Sequence, residues 1–213
     1  MAAGDFVQVG NFTTGIAQNP TVSLAGVTNG NTLVLIHVNY SGTVNSIDDD
    51  KSNTWGVATG TNFATAPNVV GGTVTATVHY SASVQYLLCL AEYEGNLPLG
   101  LYSAGPFSAG QTPFDSGNIS SSAGSSLLGL RVSFGATLAS WHSSYTHRKN
   151  GSDGFIDVSL FDAVNQAAGT NSFWWSATNP ATSTGNGEIC ELTVGGGSPS
   201  IWPGRLAMTG VGR

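Results

Sequence analysis

Apolar and polar residues alternate with a period of two along most of this chain. Thr73–Tyr80 is the plainest case, with Val74, Ala76, Val78 and Tyr80 on one face and Thr73, Thr75, Thr77 and His79 on the other. Such alternation predicts a strand with one face in a core and one in water. Thr32–Tyr40 reads differently: both faces are apolar at its start, and His37 and Asn39 interrupt one face near its end. A central strand emerging at a sheet rim fits that pattern. Further strands are predicted at Asp5–Gly10, Pro20–Leu24, Val84–Glu94, Ser126–Phe134, Leu138–Trp141, Ser144–Arg148, Phe155–Val164, Asn171–Ala177 and Glu188–Val194. Ser81-Ala82-Ser83 is short enough to join Thr73–Tyr80 and Val84–Glu94 as an antiparallel pair. Leu99–Ser125 is rich in Ser, Gly and Pro and reads as a long connection between sheets, with a short strand at Phe114–Ile119. Asn150–Gly154 reads as a turn or exposed loop. No segment sustains a 3.6-residue period; Phe161–Ala168 comes nearest and is short. About ten to twelve strands at this spacing predict an all-β, antiparallel two-sheet β-sandwich of jelly-roll type. Residues 1–194 form that sandwich in this reading, and residues 195–213 form a Gly-rich hinge and an extended C-terminal arm.

Composition narrows the function. Only 8% of the residues are charged, against roughly 25% in an ordinary soluble domain, so Ser, Thr, Asn and Gly must carry the surface. A neutral polar coat of this kind is typical of virion, extracellular or sugar-facing β-proteins. The net charge of −6 and the absence of a basic run argue against a nucleic-acid partner. No stretch approaches the ~18 apolar residues needed to span a membrane. The first ten residues, MAAGDFVQVG, lack the basic and apolar regions of a secretory signal. Cys89 and Cys190 sit in apolar runs. They read as buried free thiols, with a disulfide between two strands left open.

Chemistry-bearing residues are few. Asp48, Asp50 and Asn53 gather oxygen ligands in one turn, as Ca²⁺ prefers, but successive strand residues point to opposite faces, and a solvated, self-capping turn is the competing reading. Glu92 and Glu94 are two apart on a strand, a spacing that could place an acid and a nucleophile of a glycosidase on one face. His142 and His147 flank Tyr145 at a spacing that does not favour shared metal ligation. Trp174-Trp175 puts one indole in and one out. Tyr145, Trp174 and Trp175, with polar groups around Asn150–Asp153, are the candidates for stacking on and hydrogen bonding to a glycan. No G-x-S-x-G is present to single out a serine nucleophile.

Three segments carry a family resemblance: the strand Gly30–Leu35, the turn Ile47–Trp55 (IDDDKSNTW), and Ala91–Gly95 (AEYEG). Together they resemble a jelly-roll-type β-sandwich family found in bacteriophage structural proteins and bacterial surface proteins, with a D-x-x-G-N-T-[WY] turn and an E-Y-S-G strand end. Ser52 stands where the family usually has Gly, and Glu94 where it usually has Ser. The resemblance implies a binding or structural module and carries no catalytic assignment. The expected function is a non-enzymatic virion protein, a capsid decoration or tail-associated component, that needs no cofactor. Its partners would be other virion proteins or copies of itself, and it would reside in the virion. The alternatives are a carbohydrate-binding or lectin-like module recognising a host surface glycan and, remotely, a glycosidase. Within the tail GGGSPSIWPGRLAMTGVGR, Ile201, Trp202, Leu206 and Met208 supply apolar anchors and Arg205 and Arg213 supply charge, with no acidic residue. An arm of that kind on an acidic body is expected to dock on a neighbouring subunit.

Overall fold

A computed structural model describes residues 3–57, 61–105, 108–110, 112–179 and 183–194. The C-terminal arm, with Ile201, Trp202, Arg205, Leu206, Met208 and Arg213, lies outside the described residues. Among the described residues the chain is all-β and antiparallel, as the alternation predicts.

The first half carries β1 (Phe6–Val9), β2 (Thr13–Ala17), β3 (Thr21–Val27), β4 (Thr32–Asn39), β5 (Val44–Asp49), β6 (Gly56–Val57), β7 (Phe63–Ala66), β8 (Gly72–Tyr80) and β9 (Val84–Tyr93). The second half carries β10 (Leu99–Ala104), β11 (Ser108–Ala109), β12 (Phe114–Ser121), β13 (Ser126–Phe134), β14 (Leu138–Trp141), β15 (Thr146–Ser152), β16 (Ile156–Ala163), β17 (Gly169–Ala177) and β18 (Thr184–Leu192). In the first half one sheet runs β1-β9-β4-β7-β6, with β2 also on β9, and a second runs β3-β8-β5. In the second half one sheet runs β10-β18-β13-β16-β15, with β11 also on β18, and a second runs β12-β17-β14. The two halves therefore repeat one strand order. Pairing is nested in both: the opening strands join the last strand, the next joins the penultimate one, and β4 joins β7 as β13 joins β16.

The repeat extends to register. Val44 pairs with Tyr80 as Leu138 pairs with Ala177, and Ile47 pairs with Val78 as Trp141 pairs with Trp175. Even the irregularity between Val44 and Ser46 recurs between Leu138 and Ser140. The β5 and β14 residues lie 94 positions apart, as Val44 and Leu138 do, and the β8 and β17 residues lie 97 apart, as Tyr80 and Ala177 do. At the first of these offsets GNTLVLIHVNY, from Gly30, matches GSSLLGLRVSF, from Gly124.

Four sheets make three cores. Leu33 and Leu35 of β4 pack with Val74, Ala76, Val78 and Tyr80 of the first outer sheet. Val34, Ile36 and Val38 point the other way, onto Leu128, Leu130, Val132 and Val158 of the second inner sheet. Phe161 and Ile189 pack with Phe114, Phe173 and Trp175 of the second outer sheet. The order is outer, inner, inner, outer. The span read as one two-sheet sandwich thus holds two, joined through their inner sheets. That is why β4, β9, β13 and β18 are buried on both faces, whereas β8 and β17 keep one face toward solvent.

The same layering corrects two local expectations. Strands β8 and β9 do not pair; β8 sits between β3 and β5, and β9 between β4 and the β1/β2 edge. Ser81-Ala82-Ser83 crosses between layers, because β9 is buried on both faces and β8 on one. Leu99–Ser125 is not a connection: it supplies β10, β11 and β12, edge strands whose Ser and Gly content hides their alternation. Thr13–Ala17 and Phe63–Ala66 are strands too short to announce themselves by periodicity.

Cys89 and Cys190 are both free and buried in the core between the inner sheets. Burial pushes the Cys89 thiol up to about 12 and Cys190 well above its ordinary value, so both behave as small hydrophobes.

Candidate functional site

The acidic residues singled out by spacing turn out to hold the fold. Glu92 is fully buried. Its Oε1 accepts hydrogen bonds from Thr28 N (2.9 Å) and Asn31 Nδ2 (2.7 Å), and its Oε2 from Gln8 Nε2 (2.7 Å). In the second half Glu191 does the same work: its Oε1 accepts from Ser122 N (2.7 Å) and Ser125 Oγ (2.7 Å). Thr28 and Ser122, like Asn31 and Ser125, are equivalent positions, and each carboxylate ties down the tight turn that launches β4 or β13. Gly30 and Gly124 sit in those turns at φ +84° and +82°, a conformation in which glycine carries no Cβ penalty. Glu94 lies one residue past β9, where its backbone N–H bonds Asp5 O at 2.9 Å. An enclosed Glu92, saturated by donors, is not placed as the acid or nucleophile of a Glu92/Glu94 pair.

The turn after β5 is organised on Asp49. Its Oδ1 accepts from Lys51 N (2.9 Å) and Asn53 N (3.1 Å), and its Oδ2 from Trp55 Nε1 (2.8 Å). The calcium candidates diverge around it. Asp48 reaches His79 Nε2 at 2.9 Å, Asp50 Oδ1 accepts from Thr75 N at 2.8 Å, and Asn53 Oδ1 accepts from Val70 N at 2.7 Å. Among the described residues no three His, Cys, Asp or Glu side chains converge as metal ligands. The spacing failed because Asp48 and Asp50, two apart, are each taken by a different residue of β8, His79 and Thr75, while Asn53 is held by Val70. Asp49 and Trp55 begin and end this turn, and Ser52 within it takes φ +59°.

The glycan candidates separate. Trp175 is fully buried, stacked on Phe114 with ring centroids 4.2 Å apart, and Tyr145 is also buried. Neither offers a ring face to a ligand. Trp174 is half-buried on the outer face, 5.9 Å from the His142 ring. His142 and His147 do not share a site: His142 packs on Tyr145 and Trp174, whereas His147 packs on Trp141 and Phe161.

An aromatic residue not singled out from the sequence, Trp141, occupies the more notable position. It is half-buried and lines two adjoining open clefts of about 560 and 490 Å³. Its Nε1 donates to Tyr145 O at 3.0 Å, which fixes the ring. The larger cleft is also lined by Arg131, His147, Asn150, Ser152 and Asp157. Arg131 is 4% exposed. It donates from Nη1 to Ser159 Oγ (3.1 Å) and from Nη2 to Ala136 O, lies 3.8 Å from Asp157 Oδ2, and packs over the Trp175 ring. Its Nε is buried without a hydrogen-bond partner. Burial is the main influence on the guanidinium and lowers its pKa, while Asp157 opposes that shift. His147 Nε2 lies 2.8 Å from Asn150 Oδ1.

At the rim where β4 and β13 end, Tyr40, Phe134 and Phe155 form a second feature. Their ring centroids lie 5.5–6.3 Å apart, and Tyr40 and Phe155 are 48% and 53% exposed. Tyr40 and Phe134 are equivalent residues of the two halves, so the cluster straddles their junction. No helix among the described residues is long and apolar enough to cross a membrane. No protein-family model, curated protein or solved structure matches the chain.

Proposed function

We propose that the chain is a non-enzymatic bacteriophage virion protein, a capsid decoration or tail-associated component that binds neighbouring subunits. The observation that carries this reading is the nested pairing repeated in both halves. Opening strands with the last, and the next strand with the penultimate, resembles the winding of a jelly roll, a form that recurs in viral capsid and lectin domains. Two such units fused through their inner sheets make a block with its Ser- and Thr-bearing outer faces turned to solvent. The resemblance of the Asp49–Trp55 and Glu92–Gly95 segments to phage structural proteins points the same way. Contact with a neighbour is assigned to the C-terminal arm, through Ile201, Trp202, Leu206 and Met208 with Arg205 and Arg213, and to the exposed rim pair Tyr40 and Phe155. Exposed aromatics are the residue type that dominates protein contacts.

Native mass spectrometry of the full chain, of a chain lacking residues 196–213, and of the Tyr40→Ser/Phe155→Ser variant tests this. The full chain is expected to form a defined oligomer, and the truncated chain to remain a folded monomer. A full chain that is monomeric at high concentration and does not attach to particles would overturn the reading. The second reading, carbohydrate recognition, is favoured by one observation, the polar cleft beside Trp141.

A further inference from the structure

The two halves share strand order and register, so each position in one half has a counterpart in the other, and departures between counterparts mark where the halves do different work. At the cleft the departures cluster. Arg131 stands where the first half has His37, and Trp141 where it has Ile47. His147 pairs with Phe161 as Val57 pairs with Ala64, so His147 stands where the first half has Val57. Ile47 and Trp141 each pack against the core of their half, but Trp141 also lines two clefts. The core-packing Ile47, the exposed Val57 and the buried His37 of one copy have become an indole, an imidazole and a guanidinium around an open space in the other. Core stability does not require that exchange, because the first half is built without it.

We propose that the cleft over Arg131 is a binding site for a neutral saccharide, with Trp141 as its stacking platform; this rests on the carbohydrate reading above. The chemistry of the lining selects the ligand. The indole gives a fixed apolar face beside shallow, open clefts, which suits the flat face of a pyranose within a chain better than a compact ion. Around it stand planar or short polar groups: the Arg131 guanidinium, the Asp157 carboxylate, the Asn150 amide, His147 and Ser152. Between them they offer donors and acceptors for paired hydroxyls. Arg131 Nε, in the wall of the cleft, is a buried donor lacking a partner, which a water admitted beneath the ligand would satisfy. Charge argues for neutrality. Asp157, 37% exposed at its side chain and 3.8 Å from the guanidinium, balances Arg131, and the chain as a whole is acidic at −6. A phosphate or carboxylate ligand would meet Asp157 without an unopposed cation.

Isothermal titration of the full chain with cellobiose, maltose, lactose and chitobiose, and with sialyllactose and a glucuronate disaccharide as acidic probes, tests the inference. Saturation of at least one neutral probe is expected, with roughly tenfold or greater weakening in Trp141→Ala, the size of loss typical of a central aromatic contact. Trp141 also packs on Phe161, so the exposed Asn150→Ala is measured in parallel, and both variants are checked for an unchanged fold by circular dichroism. Weakening in either folded variant supports the site. Binding that survives both but disappears in the rim variant Tyr40→Ser/Phe155→Ser would overturn the cleft assignment while leaving carbohydrate recognition standing. Binding of the acidic probes alone would overturn the neutral ligand. No binding by any probe at millimolar concentration would overturn the inference together with the carbohydrate reading.

Discussion

At the scale of single residues, the acidic side chains are structural. Four of the twelve acids, Glu92, Asp162, Glu188 and Glu191, are buried, and each is held by named donors. Asp162 accepts from Arg148 Nε (2.8 Å) and Tyr93 Oη (3.1 Å) across the junction of the inner sheets. Glu188 Oε1 accepts from Asn62 of the other half and from Asn186 Nδ2. Burial, opposed by these hydrogen bonds, pushes the Glu188 carboxyl up to about 7 from 4.5. The sign of the consequence follows from proton counting. Between pH 4.5 and 7 the folded state keeps a proton that the unfolded state has lost, so raising the pH favours unfolding. The penalty is absent below pH 4.5 and complete above 7, on the order of 3 kcal/mol. Denaturant unfolding at pH 4.5 and pH 8 should therefore show the natural protein losing about that much relative to Glu188→Gln. His37, lowered to about 4 chiefly by burial, acts in the opposite direction below pH 6.5, but it is common to both proteins and cancels. Equal pH dependence in the two proteins would show that Glu188 does not titrate in this range. Spacing brought Glu92 to notice and burial decided its role, since a carboxylate on a strand reads alike from sequence whether it meets solvent or three donors.

At the scale of elements, the two halves solve one packing problem in two ways. Leu35 of β4 and Ala76 of β8 share the core of the first half. Their counterparts are Gly129 of β13 and Phe173 of β17, and a Cβ built on Gly129 would lie 2.5 Å from the Phe173 ring. Large over small in one half is small under large in the other. Gly129→Leu should overpack the core and cost at least ~1–3 kcal/mol. Gly129→Leu with Phe173→Ala recreates the first-half pair and should recover much of the loss, a coupling that a double-mutant cycle measures from melting curves. Additive losses would mean that the two side chains do not share the space. This exchange also explains what the sequence concealed. Strand β8, with one polar face, is legible by its alternation, and β4 by the apolar run Leu33–Ile36 at its start. The repeat was not legible, because compensating swaps such as Leu35/Ala76 for Gly129/Phe173 erase identity while preserving shape. Only the match of GNTLVLIHVNY with GSSLLGLRVSF survived as a signal. Trp141 and Arg131 escaped notice for a related reason: each reads as an ordinary strand residue until its counterpart, Ile47 or His37, is set beside it.

At the scale of the whole molecule, the central claim is that two equivalent sandwiches are fused into one cooperative block, on which the rim cluster and the cleft are mounted. The junction is apolar at its centre, where Val34, Ile36 and Val38 meet Leu128, Leu130 and Val132. Polar groups cross it on both sides, through Tyr93–Asp162 and Asn62–Glu188. Burying that face in either half alone is impossible, so neither inner sheet should open while the other stays closed. Native-state hydrogen exchange resolved by residue tests this most directly. The account predicts that the slowest amides of β4 and β9 and those of β13 and β18 exchange with one common free energy, equal to that of global unfolding. Exchange of β4 and β9 at a distinctly lower free energy, with β13 and β18 still protected, would contradict it and describe two independent domains instead.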